Sequence, residues 1–132
     1  MGAAGVHVGQ DDLSPHAVRQ IVGREALVGL STHTESQWSS AVEEPVSYIA
    51  VGPVFGTHSK ETGYEPVGLE TVSRAAACAA KSGLPLVAIG GITLGRARAV
   101  IGAGAHSVAV ISDLLATNDP TTRVRQFLRE LT

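Results

Sequence analysis

Five short apolar runs recur along the chain, and each ends in glycines, hydroxyls or acids before a stretch of helical spacing begins. The runs cover residues 6–8, 26–30, 48–51, 84–93 and 106–112. Runs this short and this apolar read as strands. Separated by helices, they are the signature of a parallel sheet, because parallel strands need a crossover connection. The chain is therefore expected to be an α/β protein of five strand-helix units. In such folds ligands collect beyond the carboxyl ends of the strands, where all five polar clusters fall. Five units do not close the usual eight-stranded barrel.

The third run carries the richest cluster. Tyr48-Ile49-Ala50-Val51 reads as a strand buried on both faces and stops at Gly52-Pro53. Beyond Phe55 come Gly56, Thr57, His58, Ser59 and Lys60, the composition of an anion site. Glycine allows close backbone approach, the hydroxyls donate hydrogen bonds, and lysine brings a mobile positive charge. The loop that follows, through Glu61-Thr62-Gly63-Tyr64-Glu65-Pro66, is longer than a connector requires.

The other clusters follow the same plan. The first strand, Val6-His7-Val8, delivers Gly9, Gln10, Asp11 and Asp12, a polar or metal-binding strand end. Ser14-Pro15 is the better helix start, which frees the acids for ligand work, and the helix runs to Val22 before Gly23. The second strand leads to Ser31, Thr32 and His33, with Thr34 as N-cap of a helix through Trp38 and Val42. His33 is a candidate proton carrier, since imidazole titrates near neutrality. Residues 67–70 lead into a helix ending near Gly83. The fourth strand ends in Gly90-Gly91, a pair that allows a phosphate to reach backbone N–H groups. After a helix over residues 94–101, the fifth strand presents Ser112 before a helical turn. Asp119-Pro120 opens the last helix, whose apolar face holds Val124, Phe127, Leu128 and Leu131.

Composition removes several function classes. Hydrophobic residues make up 44% and charged residues 17% of the 132, so the chain can bury a core. A formal net charge of −2 with scattered basic residues excludes a nucleic-acid footprint. No apolar run approaches the roughly 20 residues of a membrane span, and residues 1–5 lack a signal-peptide pattern. The lone Cys78 cannot form an internal disulfide and sits in an alanine-rich helix as a packing residue. The expected location is the cytoplasm.

Taken in order, the segments GVHVGQDD, VGLSTHT, YIAVGPVFGTHSK, VGLE, VAIGGIT and AVIS resemble the thiamine phosphate synthases, which are (β/α)8 TIM barrels. The resemblance spans essentially the whole chain. It implies a single partial barrel domain over residues 1–132, about the last five of eight strand-helix units, with the N-terminal three missing. It also implies a transferase of thiamine biosynthesis that joins a hydroxymethylpyrimidine diphosphate to a thiazole phosphate, releasing diphosphate. On the family pattern Asp12 is a magnesium ligand, Ser31 and Lys60 are catalytic and contact the pyrimidine substrate, and Thr57, His58 and Ser59 line the thiazole phosphate site. Gly91, Ile111 and Ser112 complete that phosphate cup. The expected partners are these two small molecules, with no nucleic acid and no membrane, and a homo-oligomer or a complementing chain as the source of what this chain does not hold.

Departures accompany the matches. Ala4 stands where the family has an Asp, and Ser59 replaces a common threonine but keeps the hydroxyl. The glutamine-to-basic stretch that grips the pyrimidine diphosphate and the Asn-Asp pair that supplies the other magnesium ligand belong to the three earlier units. Two alternatives follow from the same residues: a related thiazole tautomerase using His33, and a non-catalytic phosphate-binding remnant.

Overall fold

The computed structural model describes residues 2–56 and 63–132. Five strands alternate with helices: β1 (Gly5–Val8), α1 (Pro15–Val22), β2 (Leu27–Thr32), α2 (Glu35–Ala41), β3 (Tyr48–Val51), α3 (Gly68–Lys81), β4 (Leu86–Ile89), α4 (Leu94–Gly102), β5 (Ser107–Ala109), α5 (Ser112–Leu115) and α6 (Pro120–Leu131). All four pairings are parallel, and the strands lie side by side in chain order. Each crossover therefore places its helix against the strand pair it connects, as in barrel-type α/β proteins.

Register sorts the side chains onto two faces. Leu30, Ile49 and Leu86 are neighbours across three strands, and Thr32, Val51 and Ala88 form the next such row. All six are buried. The five apolar ones share one core with Trp38 and Ala41 of α2, Val72, Ala75, Ala76 and Ala79 of α3, and Ala97 and Val100 of α4. Small residues on α3 and α4 let these helices lie close to the sheet. Cys78 packs against this core half-buried, in the helix-packing role expected of it. The opposite face of the strands carries His7, Gly29, Ser31, Tyr48 and Ala50, far more polar company.

Caps set the helix starts. Ser14 Oγ accepts from Ala17 N–H at 3.3 Å, and Pro15 opens α1. Thr34 and Gln37 form a reciprocal capping box on α2, and Asp119 accepts from Thr122 N–H at 3.0 Å to start α6. Three expectations need correction. The fourth strand stops at Ile89 because Gly90 and Gly91 adopt φ of 98° and 63°, outside any extended conformation. The fifth is cut to three residues, and Ile111 caps a short turn instead of ending a strand. On α6 Phe127 is buried, yet Val124 and Leu128 remain 40% and 58% exposed beside β5, which among the described residues pairs with β4 alone.

At the amino-terminal side of the sheet, Arg19 ties several segments together. Its guanidinium donates to the carbonyls of Gly23 at 3.0 Å, Ala26 at 2.6 Å and Pro45 at 3.0 Å, joining the end of α1, the entry to β2 and the approach to β3. Replacing Arg19 by Met keeps the aliphatic stem but strips those donors. The expected loss is about 2–3 kcal/mol, the scale of hydrogen bonds to a charged group in a partly buried setting. Chemical denaturation measures it, and a loss below about 0.5 kcal/mol would show that water replaces the guanidinium freely.

Candidate functional site

Each strand ends on the same side, and together the ends enclose a cavity of about 470 Å³. Gly9 follows β1, Ser31 is the next-to-last residue of β2, Gly52 follows β3, Gly90 follows β4 and Val110 follows β5, and all five line it. Of the residues singled out from sequence, Asp12, Ser31, Gly91, Ile111 and Ser112 meet in this one cavity. Thr57, His58, Ser59 and Lys60 lie outside the described residues.

The acids stand on a tight turn. Gly9 N–H donates to Asp12 Oδ2 at 2.7 Å, and Gln10 Nε2 donates to the Ser31 carbonyl at 2.6 Å, so the segment after β1 folds over the end of β2. The other Asp12 oxygen has no hydrogen-bond partner among the described residues. Within that same set the lining holds two carboxylates, Asp11 and Asp12, and neither lysine nor arginine. An anionic ligand here needs a cation or backbone donors to offset it.

Ser31 and Thr32 are adjacent hydroxyls with opposite fates, because successive strand residues point to opposite faces. Thr32 turns into the core, 1% exposed, and donates to the Ala50 carbonyl at 2.8 Å. Ser31 turns toward the cavity, where its Oγ lies 2.7 Å from His7 Nε2, and His7 Nδ1 lies 2.9 Å from the Tyr48 hydroxyl. Sequence reasoning missed His7 and Tyr48 as a pair. The available signal was Gly29, an isolated glycine inside a strand, which often marks close approach of neighbours.

Burial pushes the His7 imidazole below its usual 6.5, with the nearby Asp12 carboxylate pulling the other way. A folded-state value below the unfolded one makes protonation favour unfolding. The His7 contribution to stability is thus fully present above pH 6.5 and drains away as pH falls through the lowered folded value. Thermal melts from pH 8 toward pH 5 should show this decline, and His7→Gln should flatten it; equal slopes in both proteins would contradict the assignment.

His33 is held firmly in the cavity wall. Because a carbonyl only accepts, His33 Nδ1–H must donate to Gly52 O, at 2.6 Å, and its backbone N–H donates to Gln37 Oε1 at 2.7 Å. The ring stacks on Tyr64, centroids 3.7 Å apart. In the neutral ring Nε2 is then the unprotonated nitrogen.

The glycine pair has a packing reason of its own. A Cβ on Gly90 would sit 2.6 Å from Pro53 Cα, and one on Gly91 2.5 Å from the Gly56 carbonyl oxygen. The loop after β3 lies directly on the end of β4, with Val54 and Phe55 N–H donating to the carbonyls of Ile89 and Gly90 at 2.9 and 3.0 Å. Arg96 adds a bond to the Gly91 carbonyl at 3.2 Å, its guanidinium 4.6 Å from the centre of the Phe55 ring. Asp113, next to Ser112, accepts from Leu94 N–H at 3.1 Å and anchors the start of α4. The Gly91 and Ser112 walls are thereby braced from behind.

A parallel sheet with helical crossovers and a cavity across its carboxyl strand ends defines the (β/α) TIM-barrel class of enzyme fold. The family model for thiamine monophosphate synthase matches residues 1–114. The chain belongs to the thiamine monophosphate synthase family. It is 50% identical over 130 residues to the thiamine-phosphate synthase of Koribacter versatilis, covering 98% of this chain and 59% of that protein. It is 39% identical to that of Caldicellulosiruptor saccharolyticus, covering 96% of this chain and 56% of the relative. Its structure resembles thiamine phosphate pyrophosphorylase from Pyrococcus furiosus with a TM-score of 0.86 and 26% identity, over 98% of this chain and 59% of the other. The chain thus spans little more than half the length of these relatives. Among the described residues no helix is long and apolar enough to cross a membrane.

Proposed function

We propose that this chain carries the thiazole phosphate site and part of the pyrimidine diphosphate site of a thiamine phosphate synthase. The carrying observation is that Asp12, Ser31, Gly91, Ile111 and Ser112, drawn from four strand ends, line one cavity. Gly91, Ile111 and Ser112 form the wall that takes the thiazole phosphate. Ser31, across the cavity, holds the pyrimidine. On the family pattern Thr57, His58 and Ser59, which lie outside the described residues, would line the thiazole phosphate site, and Lys60 would meet the departing diphosphate.

The coupling needs no protein nucleophile. The bond between the pyrimidine methylene and the diphosphate oxygen breaks, the electron pair leaves with the diphosphate, and the thiazole nitrogen donates its pair to the methylene cation. The chain's work is to hold the two substrates in contact, which converts a bimolecular encounter into a local one, and to keep water from the cation.

The residues present fit a magnesium ion. The described lining offers hard carboxylate oxygens and neither lysine nor arginine, and the Asp12 oxygen that the turn does not use is directed by a fixed backbone bond to its neighbour. Magnesium takes one or two carboxylates plus substrate phosphates and water, so Asp12 would hold it without a protein cage. When bound, the ion neutralises charge on the leaving diphosphate. Cys78, a reduced thiol against the core, suits a cytoplasmic setting. Further strands, from the same polypeptide or a second copy, would join at the unpaired sides of β1 and β5.

The test is direct: pyrimidine diphosphate, thiazole phosphate and magnesium are mixed with the protein, and thiamine phosphate and diphosphate should accumulate in equal amounts. Thiazole phosphate binding without product would support the non-catalytic alternative instead. Isomerisation of the thiazole that survives loss of coupling and disappears in His33→Asn would support the tautomerase alternative.

A further inference from the structure

His7, Gly29 and Tyr48 occupy one row across β1, β2 and β3, His7 paired with Gly29 and Gly29 with Tyr48. Residues opposite one another in a sheet project to the same face, so the two rings would normally be separated by the side chain of the middle strand. Here that side chain is absent. A Cβ on Gly29 would lie 2.2 Å from Tyr48 Cζ and 2.4 Å from His7 Nδ1, so the rings occupy the space that glycine vacates. They lie 5.5 Å apart at an interplanar angle of 26°, joined by the 2.9 Å bond between Tyr48 hydroxyl and His7 Nδ1. One residue pair further along β2 stands Ser31, whose Oγ is 2.7 Å from His7 Nε2.

The direction of the proton chain follows from the donors. Among the described residues the Tyr48 hydroxyl has no acceptor other than His7 Nδ1. A phenol at neutral pH keeps its proton and spends it on the acceptor it has. With Nδ1 as that acceptor, the neutral imidazole carries its own proton on Nε2. That N–H donates to Ser31 Oγ, filling an oxygen lone pair and leaving the Ser31 O–H free to donate into the cavity. The opposite tautomer would make Ser31 donate to His7 and leave the phenol proton without a described partner.

We propose that His7, fixed in the Nε2–H tautomer by Tyr48, is a positioning residue that presents the Ser31 hydroxyl to the cavity as a hydrogen-bond donor. The ligand group it meets is an acceptor, such as an aromatic ring nitrogen; with His7 filling one of the two Ser31 Oγ lone pairs, a ligand N–H is left only the second. The serine backbone is held as well, by the 2.6 Å bond from Gln10 Nε2 to the Ser31 carbonyl. Which ligand benefits rests on the proposed pyrimidine site; the tautomer does not.

Two readouts separate those claims. Long-range proton–nitrogen NMR on the nitrogen-labelled chain should show His7 protonated at Nε2 and bare at Nδ1, and Tyr48→Phe should convert that pattern to a mixture. A protonated Nδ1 in the unaltered chain, or an unchanged pattern in Tyr48→Phe, would overturn the proposal. Calorimetry with pyrimidine diphosphate is the second readout. Tyr48→Phe should weaken binding by up to about tenfold, one hydrogen bond's worth, but should cost nothing further once Ser31→Ala has been made. His7→Gln, which keeps a donor near the Nε2 position, should retain most of the affinity that His7→Leu loses. Equal losses with and without Ser31 would reduce the pair to a structural role. If the unaltered chain bound no pyrimidine diphosphate, the proposed function would fail while the NMR result still decided the tautomer.

Discussion

Truncating Leu86 to alanine should lower the unfolding free energy by about 2–5 kcal/mol, the range for removing a fully buried leucine and leaving a cavity. Leu86 is 0% exposed and sits on β4 in the row with Leu30 and Ile49, on the core side of the sheet against which α3 packs. Its neighbours are strand side chains tied by ladder hydrogen bonds, so they collapse poorly into the space. A domain of this size is stable by only about 5–15 kcal/mol in total, which makes the loss easy to read as a shift in urea midpoint at unchanged slope. Leu128→Ala is the control: that side chain is 58% exposed, and its loss should stay within about 0.5 kcal/mol. Similar effects at the two positions would contradict the burial of Leu86 under the helices and the exposure of Leu128 on α6.

The second large effect is expected at Asp12. Asp12→Asn preserves an acceptor oxygen for the 2.7 Å bond from Gly9 N–H, so the turn after β1 survives, but the negative charge is gone. If Asp12 holds magnesium against the leaving diphosphate, thiamine phosphate formation should fall by about 10²–10³-fold, the scale for losing one preorganised electrostatic contact to a transition state. Higher magnesium should recover part of the rate. Affinity for thiazole phosphate, on the Gly91 and Ser112 side, should not change. Assays across a magnesium series measure all three, and an identical magnesium response in both proteins would remove Asp12 from metal binding.

Several elements were legible from residues alone. The bounds of α1 and β3, the caps at Ser14, Thr34 and Asp119, and the placement of β3 with both faces covered follow from local patterns that need no partner. Strand ends were harder. Apolar composition continues through residues 90–92, so only the left-handed backbone of Gly90 and Gly91 reveals where β4 stops. Leu128 has the spacing of a core residue, but burial depends on what packs over α6, and spacing carries no information about that.

The candidate site divides in the same way. That polar clusters would gather on one side was written in the alternation of strand and helix, since every parallel strand enters its loop from the same end. Which hydroxyl turns inward was not: Ser31 and Thr32 look alike in the chain and differ only through the register of β2 between its neighbours. The sequence by itself determined the fold class, the family and the side of the sheet that holds ligands, because these depend on short-range patterns and residue types. Only the tertiary structure decided that His7 and Tyr48 meet over Gly29, that Arg19 binds three segments, and that residues from four strand ends share one cavity. The His7 contacts join strands far apart in the chain, 24 residues from His7 to Ser31 and 41 from His7 to Tyr48, and sheet register sets such distances.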